Sequence, residues 1–248
     1  MLTELQKRTI QAIVNIFETG QPAGDYARVT VAPSDPGRLS FGRSQASLAS
    51  GNLFRLAGEY CADPAALHAR ELSSYLPRLE ARDPGLDSDA RLLSLLRLTG
   101  ADPAMHRAQD AIFDRVYWDP AVRAAQALGI ETALGSGVVY DSMIHGGWVR
   151  IRNGTAASFG RPPSAPLLPQ GMAFEREWIT RYIGLRRDWL ALHSNPLLRL
   201  TTYRMDTFAA LVRAGNWDLT LPIEAHGVRI TAEALDPRSA ADPITMAR

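Results

Sequence analysis

Asp-Pro occurs seven times in this chain, at positions 35, 63, 83, 102, 119, 236 and 242. Proline has no backbone N–H to donate and its φ is already set for the first helical turn, while an aspartate before it can accept from the free amides that follow. Three of the pairs open apolar-periodic runs, "ADPAALHAR", "ADPAMHRAQ" and "WDPAVRAAQ". In these, Asp63, Asp102 and Asp119 read as N-caps, each followed by proline at the first helical position. These aspartates therefore have a structural task that needs no catalysis. From Leu53 onward the pattern is helical nearly throughout, in segments at about 51–61, 63–82, 87–99, 103–117, 119–129, 130–145, 171–192, 195–199 and 202–214. Such punctuation predicts a mainly α fold of many short helices.

The first part of the chain differs. Residues 3–18 have the spacing of an amphipathic helix, with Thr3 as N-cap, Glu4 and Gln6 in the first turn, and Gly20 and Pro22 ending it. "DYARVTVAP" then alternates, with Val29 and Val31 on one face and Arg28 and Thr30 on the other. "SDPG" supplies turn chemistry and "RLSFG" returns as a second strand, so a small antiparallel sheet is expected. Residues 153–171, rich in Pro, Ser and Gly, read as a loop of a length that is often functional. Beyond residue 223 a C-terminal extension, 224–248, holds the short strand candidate "GVRITAEAL" and a loose polar tail.

Composition excludes several classes. With 248 residues, 46% hydrophobic and 21% charged, the chain can bury a large core as one domain or as two lobes sharing a groove. A net charge of +1 gives no basic field for nucleic acid. The single cysteine, Cys61 in "GEYCADP", permits no intramolecular disulfide and no cysteine metal cluster, and reads as a buried structural thiol. The five histidines, at 68, 106, 145, 193 and 226, lack ligand spacing, so neither a metal nor a cofactor is expected. Phosphate-binding, dinucleotide-binding and serine-hydrolase motifs are missing. The start "MLTELQKRTI" has no secretory signal, and no apolar run reaches the roughly 18 residues of a membrane span. The chain reads as soluble: a mature form, an effector exported by another route, or a protein released by lysis.

Carboxylates are then what remains for hydrolytic chemistry. "DRVYWDPAVRAAQALGI", "VVYDSMIHGG" and "YRMDTFAALVRAGNWDLTLPI" together resemble the family 46 glycoside hydrolases, the chitosanases of the lysozyme superfamily, in the same order and at similar intervals. The resemblance covers about residues 4–223. It implies an α+β lysozyme-like fold of two helical lobes around a cleft with a small antiparallel sheet, acting outside the cytoplasm on a polysaccharide and as a monomer.

The same resemblance implies site residues. Glu18 in "NIFETG" occupies the place of the family's general acid, at the end of the first long helix. Asp35 is the only acidic residue in "SDPGRLSFG", which corresponds to the segment carrying the general base, and Ser40 falls where the family has a Thr that helps hold the attacking water. Asp141, Arg186 and Arg204 match a buried Arg–Asp–Arg network behind the cleft, with Arg204 close enough to tune the acid. Metal-free glycosidic cleavage needs one protonated carboxyl on the leaving oxygen and one carboxylate on a water, about 6.5–9.5 Å apart when the configuration inverts. A helix C-terminus and an apolar wall at Phe17 both disfavour charge on Glu18, which suits the acid. Asp35, in a polar turn, suits the base. Taken alone, Asp35 is more often a turn cap in "S-D-P-G", and Asp25 is the alternative base.

Substrate choice is less directly written. Where the family carries an Asp that pairs with a glucosamine ammonium, this chain has Asn52, and Arg38, Arg43 and Arg55 lie nearby. Those charges favour a neutral or anionic glycan such as peptidoglycan over chitosan. "FGRSQ" also resembles the Gly-x-x-Gln turn of goose-type lysozymes and phage muramidases, with Gly42 and Gln45 in register. Arg38, Arg43, Gln45 and Asn52 are therefore the candidate substrate-binding residues. A second class of function, a glycan-binding protein that has lost catalysis, draws support from Pro36 beside the base.

Overall fold

Helix α1, Glu4–Thr19, begins where the sequence places it, with Thr3 Oγ1 accepting from the Gln6 amide and the Gln6 side chain accepting from the Thr3 amide. It ends where the Gly20 amide returns to the Ile16 carbonyl. The computed structural model describes residues 2–31, 38–167 and 171–235. Asp35 and the "SDPG" turn lie outside these described residues, as does the polar tail.

The chain forms two units, one of residues 1–23 and 117–248 and the other of residues 24–116. In the second, strands β1 (Val29–Thr30), β2 (Ser40–Phe41) and β3 (Ala46–Ser47) make an antiparallel sheet in the order β1-β2-β3. Val29 pairs with Phe41 and Phe41 with Ala46. The hairpin is as expected, shorter than its alternation suggested, and the third strand was not foreseen. Helices α2 (Asn52–Ala62), α3 (Ala69–Ser73), α4 (Leu76–Glu80), α5 (Ala90–Thr99) and α6 (Pro103–Phe113) complete the unit around a core that includes Phe41, Leu53, Leu56, Tyr60, Leu96 and Met105. The run expected as one helix over 63–82 is broken into α3 and α4.

Asp-Pro does three different things here. Asp102 is the N-cap foreseen, accepting from the Ala104 amide, and it is also buried, accepting from Tyr60 OH at 2.7 Å and the Leu67 amide at 2.8 Å. Burial alone would raise its carboxyl, but these donors outweigh burial and hold it below the usual range. Asp63 is the C-cap of α2 and accepts from the Ala65 amide in a turn, so it is not the N-cap of a helix. Asp119 is already inside helix α7 (Asp119–Leu128), which continues from a π-helical turn over Asp114–Trp118 and has no side-chain cap.

The first unit is built around α8, Ala133–Ile144, whose residues from Ala133 to Ser142 are all buried. A helix buried on every side belongs at the centre of a helical layer, and α8 packs against α1, α7, α9 (Trp148–Ser158), α10 (Met172–Ala191) and α12 (Tyr203–Arg213). The short α11, Pro196–Arg199, lies between the last two in sequence. Strands β4 (Ile223–Ala225) and β5 (Val228–Ile230) form a hairpin that packs on α1. The expected loop over 153–171 is corrected at its start. Asn153 and Gly154 continue α9 because Ile151, Thr155 and Ala156 are buried on one face and Thr155 Oγ1 bonds the Ile151 carbonyl.

Candidate active site

Glu18 is the penultimate residue of α1 and its side chain is 44% exposed, while the residues before it, Ile16 and Phe17, are buried. The period of α1 thus turns its apolar face inward and leaves one carboxyl at the helix end in contact with solvent. Arg204, from the first turn of α12, donates through Nη2 to Glu18 Oε1 at 2.5 Å and through Nη1 to Asp141 Oδ1 at 2.7 Å. Asp141, on α8, is fully buried, and its Oδ2 stands 3.4 Å from Nη2 of Arg186 on α10, which is also fully buried. Four helices therefore deliver one continuous chain of charge, Glu18–Arg204–Asp141–Arg186. Burial alone would weaken the Arg204 cation, but Asp141 and Glu18 together hold it firmly protonated.

The surrounding rings fix this chain in place. Arg204 lies over the Phe17 ring at 5.2 Å, and Tyr203 donates its hydroxyl to the Phe17 carbonyl at 2.9 Å. His226, in the β4–β5 turn, stacks on Tyr203 with ring centroids 4.0 Å apart. His145, the C-cap of α8, accepts at Nδ1 from Arg186 Nη2 at 3.2 Å. Its imidazole is half-buried, and burial and then the two arginine charges push it down to about 4, so it is neutral near pH 7. Neither His145 nor Tyr203 was singled out from sequence. A lone histidine four residues after the network aspartate was the only available signal.

In the other unit, Ser40 is buried on β2 with Oγ 3.5 Å from the Arg38 carbonyl. Arg38, at φ 63°, bonds Asp87 Oδ2 at 2.9 Å and the Pro84 carbonyl. Arg43 is held by Asp110, lies over the Phe113 ring at 4.4 Å, and has a side chain only 5% exposed. The same Asp110 accepts from Tyr26 OH, whose phenol burial pushes up to about 12. Gln45 folds back on the Gly42 carbonyl through Nε2 at 2.8 Å. At Gly42, φ is 78° and an added Cβ would sit 2.3 Å from Gln109 Oε1; that amide accepts from Arg43 N and donates to the Tyr26 carbonyl. "FGRSQ" is thus a turn clamped from α6, and the positive charge expected of Arg38 and Arg43 is taken up internally. Asn52 is exposed in the first turn of α2, and Asp25, also exposed, accepts from the Ala27 amide. Among the described residues, no group of three or more His, Cys, Asp or Glu is placed to hold a metal ion, and no helix is long and apolar enough to cross a membrane.

Known proteins share this arrangement of chain. A chitosanase from Bacillus subtilis MY002 superposes with a TM-score of 0.66, at 24% identity over 93% of this chain and 100% of that one. A family 46 chitosanase of Gynuella sunshinyii, solved with chitotetraose, gives 0.66 at 25% identity over 94% and 99%. The chitosanase of Bacillus subtilis strain 168 is 25% identical over 242 residues, 91% of this chain and 83% of that relative. The mainly helical fold with its small antiparallel sheet is thus that of a glycoside hydrolase. The sequence model of glycosyl hydrolase family 46 matches residues 39–223, and the chain belongs to that family.

Proposed function

We propose that this protein is an inverting endo-hydrolase of a β-1,4-linked amino-sugar polymer, with chitosan as the substrate class, Glu18 as general acid and Asp35 as general base. One observation carries the acid assignment: an exposed carboxyl at a helix end is held at 2.5 Å by an arginine that is itself 2% exposed and anchored on a buried aspartate. When Glu18 gives its proton to the leaving oxygen, the carboxylate so formed meets a cation already in position, which lowers the energy of that step without rearrangement. With Asp141 and His145 unchanged, the group Glu18, Arg204, Asp141 and Arg186 then sums to zero charge. Chitosan is favoured because every comparison above is to a chitosanase and because Arg38 and Arg43 are neutralised within their own unit. The exposed Asn52 is the feature that favours peptidoglycan, since an amide bonds acetamido and hydroxyl groups and gives an ammonium no net attraction.

Two experiments test this. Glu18→Gln should cost about 10³-fold or more in kcat while leaving the fold intact by circular dichroism; near-native activity would sink the acid assignment. Mass spectrometry of products from chitosan and from purified peptidoglycan, run side by side, should give oligosaccharides from chitosan alone, and NMR of the fresh products should show the α-anomer. A fresh β-anomer would refute inversion.

A further inference from the structure

Asp141 does not treat its two arginines alike: the Arg204 contact is 2.7 Å and the Arg186 contact 3.4 Å. A second acceptor for Arg186 lies one helical turn further along α8. His145 presents Nδ1 to the same Arg186 nitrogen, Nη2, at 3.2 Å, so Asp141 and His145, four residues apart on one helix, both face that nitrogen. The ring is fixed for this task. Its own amide returns to the Asp141 carbonyl at 2.9 Å, and Gly146 and Gly147, both at φ 91°, turn the chain away immediately after it. At Gly147 an added Cβ would meet the Trp189 ring at 2.9 Å, so the turn admits no side chain there.

We propose that His145 is a positioning residue for the acid step: by accepting from Arg186 at Nδ1 it holds that guanidinium back from Asp141, so that Asp141 serves Arg204 first. The inference rests on the reading of Glu18 as the acid and extends it. The charged groups that act on the imidazole are Arg204 from α12, Arg186 from α10 and Glu18 from α1, while Asp141 from its own helix and Tyr182 from α10 face the same Arg186. An Arg204 well satisfied by Asp141 draws less on Glu18, which leaves the Glu18 carboxyl freer to carry the proton it must deliver. Without the Nδ1 acceptor, Arg186 closes on Asp141, the aspartate is shared evenly, and Arg204 pulls harder on the Glu18 carboxylate.

The test compares His145→Leu, which fills the space without an acceptor, with His145→Asn, whose Oδ1 stands where Nδ1 does. In His145→Leu the alkaline limb of kcat/KM against pH should move down by about half a unit, with kcat near that limb falling roughly threefold and KM within about twofold. His145→Asn should restore the limb to the wild-type position. A Leu profile that superposes on wild type, or an Asn profile displaced as far as Leu, overturns the inference. Nitrogen-15 NMR of the unmodified protein gives a readout independent of folding in the variants: Nδ1 must be unprotonated and Nε2 protonated at pH 7, and the opposite tautomer overturns the proposal. Glu18→Gln measured alongside separates the two failures. An inactive Glu18→Gln with an unmoved His145→Leu limb defeats this inference alone, whereas an active Glu18→Gln defeats the acid assignment and this inference with it.

Discussion

Replacing Asp141 by Asn leaves the shape of the side chain almost unchanged and removes one negative charge from a place with no access to water. Asp141 and Arg186 are each fully buried, and Arg204 is 2% exposed. In the variant two buried guanidinium groups face an amide, and the only carboxylate left in the chain of charge is Glu18, on the far side of Arg204. Breaking one member of such a network costs about 3–5 kcal/mol. For a protein of this size that corresponds to a fall in Tm of about 6–20 °C. Urea denaturation followed by tryptophan emission is a suitable assay, because all five tryptophans, at 118, 148, 178, 189 and 217, lie in the unit that contains the network. Arg187→Ala, which removes an ion pair to Asp206 with both side chains about half exposed, should leave the midpoint near wild type in the same assay. Adding Arg186→Met to Asp141→Asn should recover part of the loss, since a charge and its partner then leave together. An Asp141→Asn midpoint within about 1 kcal/mol of wild type would refute the reasoning, because two buried like charges would then have been accommodated at almost no cost.

Two further outcomes follow from groups described above. Asp102→Ala strands the buried Tyr60 hydroxyl and the Leu67 amide and should destabilise its unit by about 2–3 kcal/mol, read as faster amide hydrogen exchange in peptides from α2 and α6. For His145 the sign of the pH effect is set by a folded value near 4 against 6.5 for the free side chain. Between those values the unfolded chain binds the proton more readily, so the contribution is fully present above pH 6.5 and is lost as pH falls toward 4. The stability advantage of the unmodified protein over His145→Asn, taken from urea midpoints, should therefore shrink across that window.

Much of this could be read from the sequence wherever local chemistry decides structure. Thr3 and Gln6 write the start of α1, and Asp102 with Pro103 writes the start of α6, because a cap needs only a side chain and the amides beside it. The same dipeptide misled at Asp119, where helix already runs in from the π turn, and at Asp63, where no helix follows within hydrogen-bond reach. α9 was missed because Asn-Gly is a strong turn signal locally, and only tertiary burial of Ile151 and Ala156 overrides it. Glu18, Asp141, Arg186 and Arg204 were marked by likeness to a family, and the structure brings all four together. Nothing in their spacing could have done so, since Glu18 and Arg204 stand 186 positions apart. The ion pairs of Arg38 and Arg43 were hidden for the same reason: Asp87 and Asp110, their partners, are also distant in sequence.

The division of the chain, with residues 24–116 forming one unit between the two segments of the other, has a consequence for biosynthesis. The inner unit is a continuous stretch and is complete once residue 116 has left the ribosome. Helix α1, although made before the inner unit, lacks its main partners until α8 and the β4–β5 hairpin arrive, and the cation for Glu18, Arg204, also comes late in the chain. The N-terminal-first order thus holds for the inner unit and fails for α1. The apolar face of α1, with Ile10, Ile13 and Phe17, waits uncovered until that part of the chain is made, which makes the helix a segment for a chaperone to shield.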